Sequence, residues 1–323
     1  MDDMWKHFGL ERDPFVWAEC FESADVREVK RRVKAAVADR AWIAIIGGPG
    51  TGKTFALDHA RTAVDCHWVP VLAGSRKWVK SGAIDEAIML ELAQESAVRS
   101  REARRRQMRR VLGEASRQKP ILLYLDEATD ILPSTFTEVK FLRDSLRFGS
   151  DPRNPKRQDP RPLFGVIMVG WHSLADIIRR SAELRPRIHI VMMKGLAKSE
   201  VHEYVEQLGL ARACPKKVIE LITDQCRYPL AINERLSLGL ERAWLRGDKT
   251  LLVEDVTIDE TDLFILAQRY GIRAVDLVKR TGLSPATVSQ AMNGAAIGQR
   301  SKDTLKAELE TMIAEKSSQK NVG

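Results

Sequence analysis

No stretch of this sequence approaches the 18 or so continuous apolar residues that a membrane helix needs. The first residues, MDDMWKHFGLERDPF, also lack the apolar segment of a secretory signal. A membrane span and export are therefore excluded, and a cytoplasmic location is expected. Cysteine is scarce. Cys20, Cys66, Cys214 and Cys226 form no C-x-x-C pair and hold no metal-ligand spacing with the six histidines. A disulfide framework and a zinc module are thereby excluded, which leaves small buried thiols in a reducing compartment. Acidic residues are outnumbered, 44 against 52 Lys and Arg, so the chain carries a net charge of +8. That balance favours a polyanionic partner. With 323 residues, 44% of them hydrophobic, the chain has room for two or three domains with real cores.

The most informative stretch is residues 45–57, IIGGPGTGKTFAL. Gly47, Gly48, Pro49, Gly50, Thr51, Gly52, Lys53 and Thr54 fit G-x-x-x-x-G-K-[ST], the phosphate-binding loop. Glycines let the backbone close round an anion without Cβ clashes. Lys53 supplies a point charge to the β- and γ-phosphates, and the Thr54 hydroxyl a ligand for Mg²⁺. Residues 42–46 are an apolar run that predicts a buried parallel strand. Residues 54–63 predict a helix whose N-terminus faces the phosphates, with Phe55 beside the motif as a further nucleotide-binding candidate. Upstream, residues 23–39 predict an amphipathic helix carrying Val26, Val29, Val33 and Val37.

Downstream, residues 67–72 predict a second strand, followed by a loop with Arg76, Lys77, Trp78 and Lys80. Three cations and an indole at a strand end suit a nucleic-acid backbone, or equally a solvated loop over a core tryptophan. A helix is expected over residues 83–97. Residues 98–119 then hold nine Lys and Arg against two acids, with Arg99, Arg101, Arg104, Arg105, Arg106, Arg109 and Arg110 crowded together. Such a run is a solvated helix face, or it meets phosphate or a neighbouring subunit. Residues 121–127, ILLYLDE, complete the core signal. An apolar strand ends in two carboxylates, of which Asp126 would hold the Mg²⁺ shell and Glu127 would polarise the attacking water. Together with the phosphate loop, in alternating strands and helices, this points to a nucleoside triphosphatase.

Helices are expected over residues 135–148 and 174–182, strands over 163–170 and 188–193, and an exposed Pro-rich loop over 149–162. A helical lid should run from residue 195 to about 250. The domains are expected at 1–40 (an N-terminal extension), 41–194 (the nucleotide-binding core), 195–250 (the lid) and 259–323 (a separate helical module). In the last, helices are predicted over 262–270, 274–281 and 285–293, with Ser284 as N-cap and Pro285 at the first helical position. The module is nearly neutral, with nine Lys and Arg against eight acids.

In their order, FGLERDPF, GGPGTGKT, LLYLDEA, IMVGWHSL, ELRPRI and YPLAINERL resemble AAA+ ATPases of the ExeA-like and MuB/TnsC-like group over roughly residues 4–244. The resemblance implies an α/β P-loop fold with a five-stranded parallel sheet and a helical lid, and ATP with Mg²⁺ held between subunits of a ring or helical filament. For the transposition branch it implies oligomers on double-stranded DNA that mark a target for a transposase or integrase. By position it makes Arg187 or Arg185 the arginine finger. Two departures stand out: Trp171, with His172 beside it, occupies the polar sensor position, and Leu230 stands where the lid arginine is usual. Slow hydrolysis follows as an expectation. VDLVKRTGLSPATVSQAMNG resembles the helix-turn-helix of Cro-like and LacI-like DNA-binding domains, which points Thr287, Gln290 and Asn293 toward a groove. A generic helical bundle for protein contacts is the other reading of the module. Three functions follow: a DNA-assembling ATPase that serves a transposase, a replication-initiator-like AAA+ protein, and an ATP-gated transcription regulator.

Overall fold

A computed structural model describes residues 2–17, 19–71, 81–131, 133–145, 162–257, 267, 272–292 and 297–320. Helices α1 (Asp2–His7), α2 (Pro14–Trp17) and α3 (Ala24–Asp39) precede strand β1 (Trp42–Ile46). Then come α4 (Lys53–Thr62), β2 (His67–Val71), α5 (Ser81–Ala93), α6 (Arg101–Gln118) and β3 (Ile121–Leu125). A 3-10 turn (Ala128–Asp130) leads to α7 (Pro133–Ser145), β4 (Phe164–Gly170), α8 (His172–Arg180) and β5 (Ile188–Met192). The C-terminal helices are α9 (Lys198–Gln207), α10 (Lys216–Gln225), α11 (Pro229–Arg246), α12 (Val253–Val256), α13 (Ala274–Thr281), α14 (Pro285–Met292) and α15 (Gln299–Lys320). Among the described residues, no helix is long and apolar enough to cross a membrane.

The five strands form one parallel sheet in the order β2-β3-β4-β1-β5, as expected. Strands β1, β3 and β4 are buried at every position, which is why their sequences read as continuous apolar runs rather than alternating ones. Successive residues nevertheless serve opposite faces. Trp42, Ala44, Ile46, Leu123, Leu125 and Val166 pack against α5 to α8, while Ile43, Ile45, Leu122, Tyr124 and Ile167 pack against α3 and α4. On α3, Val26, Val29 and Val33 are buried, each contributing about 2 kcal/mol. The Ser23 hydroxyl caps that helix, accepting from the Val26 N–H at 3.2 Å.

The chain divides into two compact units. One comprises Ala18–Gln207 with Tyr228–Leu230; the other comprises Met1–Trp17, Leu208–Arg227 and Ala231–Gly323. In the first, Asp25 at the start of α3 accepts the N–H groups of Lys194 and Gly195 at 2.6 and 2.8 Å. Glu200 at the start of α9 accepts those of Ala24 and Ala197 at 2.5 and 2.8 Å, so the half-buried Asp25 and the buried Glu200 satisfy backbone donors at both helix entries. In the second, the nearly buried Asp255 accepts from both terminal nitrogens of Arg246 and from the Leu252 N–H at 2.7 Å, tying α12 to α11. The Arg246 guanidinium holds the Asp255 carboxyl below its ordinary range. In the same unit, Ile272, Leu277, Val288, Leu305 and Leu309 form a small core for α13 to α15.

Several expectations need adjustment. Helix α5 ends at Ala93, four residues before the predicted end, because Gln94 turns left-handed at φ 54° and Glu95 and Ser96 instead accept the Gln107 amide. Helix α7 begins two residues early, at Pro133. The loop bearing Arg76, Lys77 and Lys80, most of the 149–162 loop, most of the helix expected over 262–270, and Asn293 lie outside the described residues. Among the described residues the four cysteines are free thiols, and burial pushes Cys214 up to about 12.

Candidate nucleotide-binding site

The glycine loop lies between the C-terminal end of β1 and the first turn of α4. Its backbone favours glycine at three positions. Gly50 and Gly52 take φ of 73° and 83°, and a Cβ at Gly47 would stand 2.7 Å from Thr51 Oγ1. The Gly47 N–H donates to the Gly170 carbonyl at 3.3 Å, which fixes the start of the loop to the end of β4. Buried Thr51 donates to the Gly48 carbonyl at 2.9 Å. Thr54 and Phe55 lie in the first turn of α4 and are exposed; the first N–H groups of a helix have no intrahelical partner, the arrangement that receives an anion.

Lys53 folds back over the loop, its Nζ donating to the carbonyls of Gly47 and Gly48 at 3.0 and 2.8 Å. Burial lowers its pKa, and the Asp126 carboxylate opposes that shift. The ammonium is thus half-desolvated, held by two weak acceptors and coupled to one acid, a state in which phosphate oxygens make better partners. Asp126 follows directly on β3. It accepts the Glu127 N–H at 2.9 Å, and the Tyr124 hydroxyl bonds to it. Burial first, then Asp126, pushes the Tyr124 phenol up. Glu127 is exposed and sits at φ 45°, ψ 41°, a left-handed conformation costing about 1–3 kcal/mol in a non-glycine residue.

The end of β4 completes this face. The Trp171 N–H donates to the Thr129 hydroxyl at 3.0 Å, while the Trp171 side chain is 56% exposed and His172 begins α8 exposed. Tyr228 and Leu230 close on the loop from a point remote in sequence. The Leu230 N–H donates to the Gly50 carbonyl at 3.3 Å, its side chain fills the space a Cβ at Gly50 would need, and the Tyr228 ring lies beside Gly48. Arg185 and Arg187 are exposed on the turn before β5. Arg187 reaches Asp144 of α7 at 3.6 Å, and Lys140 anchors the same turn through Glu183 at 2.5 Å.

Thus Lys53, Asp126, Glu127 and the glycine loop are brought to one end of the sheet. Sequence reasoning overlooked Tyr124, Thr129 and Tyr228. The first two flank the acid pair in LLYLDEAT, where a hydroxyl two residues before Asp126 and another three after it are the available signal. Of the candidate DNA-facing residues in the C-terminal helices, Gln290 is exposed. The Thr287 hydroxyl is engaged with Ser284 Oγ at 2.8 Å, as part of the cap of α14.

Residues 37–178 match the family model of the AAA domain. Comparison with curated proteins finds no match. Among solved structures, the chain is similar to Cdc6p from Pyrobaculum aerophilum, at 15% identity and a TM-score of 0.55, over 92% of this chain and 89% of that one. It is also similar to the ORC2 protein of Aeropyrum pernix in its ADPNP-ADP complexes, at 13% identity and a TM-score of 0.52, covering 95% and 98% of the two chains. A third is the ORC1 protein of Aeropyrum pernix in complex with DNA, at 13% identity and a TM-score of 0.50, covering 94% and 88%. The sheet order, the loop and these likenesses define an AAA+ P-loop fold.

Proposed function

We propose that the protein binds ATP with Mg²⁺ at this loop, hydrolyses it slowly, and uses the nucleotide to control its assembly on double-stranded DNA, where the oligomer marks a target for a transposase or integrase. The observation that carries the reading is the convergence of a phosphate cradle, a half-desolvated Lys53 and the Asp126–Glu127 pair at one end of the sheet. These residues fit the nucleotide. Gly47 to Thr54 would hold its phosphates, Thr54 and Asp126 its metal, and Phe55, in the first turn of α4, would lie beside it. Bound Mg²⁺ supplies charge neutralisation at the phosphates. Glu127 takes the proton of the attacking water, and Arg187 or Arg185 of a neighbouring copy neutralises the developing charge. Trp171 puts an indole, with a single N–H donor and no acceptor, at the sensor position and Leu230 offers no cation, which supports a slow switch rather than a motor.

Arg76, Lys77, Lys80 and the arginines of α6 would hold duplex phosphates, with Gln290, Thr287 and Asn293 tuning position from the C-terminal helices. A second reading, a replication-initiator-like protein, is favoured by the likeness to ORC and Cdc6 proteins over most of their length. Footprinting with an ATP analogue separates the two. Uniform protection of random duplex is expected for the first reading; one protected site on origin-bearing DNA, with bare random duplex, would replace it by the second.

A further inference from the structure

Helices α5, α6 and α7 enclose an open groove of about 700 Å³, within the range of ligand-sized sites. Five arginines line it, against two acids, Asp85 and Glu138. Asp85 is already engaged, with Arg104 at 3.4 Å. Among the described residues, Arg99, Arg101, Arg105 and Arg109 have no carboxylate partner, so most of the positive charge facing the groove is uncompensated. The apolar floor is closed, with Ile84, Met108 and Val139 no more than 2% exposed. Phe141 is the exception. It lines the groove at 61% exposure, with the Lys140 ammonium 5.3 Å from its ring centroid.

A cationic cleft with one presented aromatic ring is a demanding combination. Guanidiniums fork onto phosphate oxygens, and an exposed ring next to them offers a platform for a base. In a duplex the base faces are stacked inside and cannot reach such a ring, whereas an unpaired strand can turn one out. An acidic peptide would satisfy the arginines but would leave the polar-rimmed ring without a flat partner.

We propose that this groove is a binding site for an unpaired nucleic-acid strand, with phosphates on Arg99, Arg101, Arg105 and Arg109 and one base stacked on Phe141. The proposal rests on the nucleic-acid reading above and adds to the duplex a second, unpaired ligand at a defined position. It assigns a function to the arginines of α6 beyond general attraction, and gives the protein a way to hold DNA whose strands have been parted.

The test uses the full chain with an ATP analogue, and labelled oligothymidylate and a random duplex of equal length, followed by anisotropy over a salt series. Phe141→Ala should weaken oligothymidylate binding about tenfold and change duplex binding less than twofold, and Phe141→Tyr should restore it. Arg105→Glu with Arg109→Glu should weaken both probes and lower the single-strand salt slope by about 1.4. Unchanged oligothymidylate affinity in Phe141→Ala, with duplex binding intact, would overturn the groove proposal and spare the DNA-binding reading. Failure of wild-type protein to bind either probe would overturn both. Polyglutamate that competes equally with oligothymidylate, irrespective of Phe141, would reassign the groove to an acidic protein partner and overturn the proposal.

Discussion

Helix α6 and the helix pair α13–α14 are both candidate surfaces for DNA, yet they use their charge in opposite ways. Over Arg101–Gln118, seven arginines face two glutamates, and Arg101, Arg105, Arg106 and Arg109 are exposed with no carboxylate partner among the described residues. On the C-terminal helices, Arg273 is bound to Asp276 at 2.8 Å and Arg280 to Glu308 at 3.1 Å. Apart from Arg104 and Arg110, which pair with Asp85 and Glu95, the same residue type is thus available to phosphate in one region and consumed internally in the other. Free cations set bulk affinity, and paired ones hold a module together while it positions a few side chains such as Gln290. A count of basic residues alone does not make this distinction.

The comparison can be broken most severely at the nucleotide. Lys53→Ala should abolish ATP binding and with it assembly on DNA, although every arginine of α6 remains; analogue binding of undiminished affinity would remove the loop from the account. Glu127→Gln should bind ATP normally and turn it over at least 100-fold more slowly, leaving assemblies trapped on DNA. Wild-type turnover and release rates in that variant would exclude Glu127 as the base. The comparison is sharpened by a chain ending at Thr257, which keeps α12 and its Asp255 contacts. Its affinity for random duplex should stay within about threefold of the full chain, with an equally steep salt dependence. Loss of all duplex binding would move the main contact to the C-terminal helices.

Asp255→Asn tests stability rather than DNA. It breaks the pair with Arg246 and should cost about 2 kcal/mol near neutral pH, a figure reduced for the partial exposure of the arginine. Because Arg246 lowers the folded-state pKa of Asp255, the contribution is present above the ordinary carboxylate range near 3.9 and is lost as pH falls through the lower folded value. The gap between wild type and variant in urea denaturation should therefore narrow below about pH 4, and a gap constant down to pH 2 would exclude the pair as its source. The smallest effect is expected from Gln290→Ala, a change in site preference with duplex affinity nearly unaltered.

The core was legible because its signals are local. An apolar run such as ILLYL, a glycine loop, and two acids directly after a strand each declare their structure within a dozen residues. The closure of Tyr228 and Leu230 over the loop was not legible, because it joins residues some 180 positions apart in sequence and depends on a backbone bond to Gly50. The end of α5 was misread for a different reason. Residues 94–97 are compatible with helix, and the competing hydrogen bonds come from Gln107 and Arg110 on the next helix. Thr129 was overlooked because a threonine after an acid pair is unremarkable until β4 brings the Trp171 N–H to it.

The central claim is that nucleotide controls DNA attachment through the cations of the core. It is tested most directly by duplex affinity across a salt series, with and without an ATP analogue, in the wild-type chain and in Arg105→Glu with Arg109→Glu. The account predicts tight binding to random duplex only with the analogue, a steep salt slope, and a slope shallower by nearly two in the double variant. Nucleotide-independent binding to one particular sequence, with the same slope in both proteins, would contradict it.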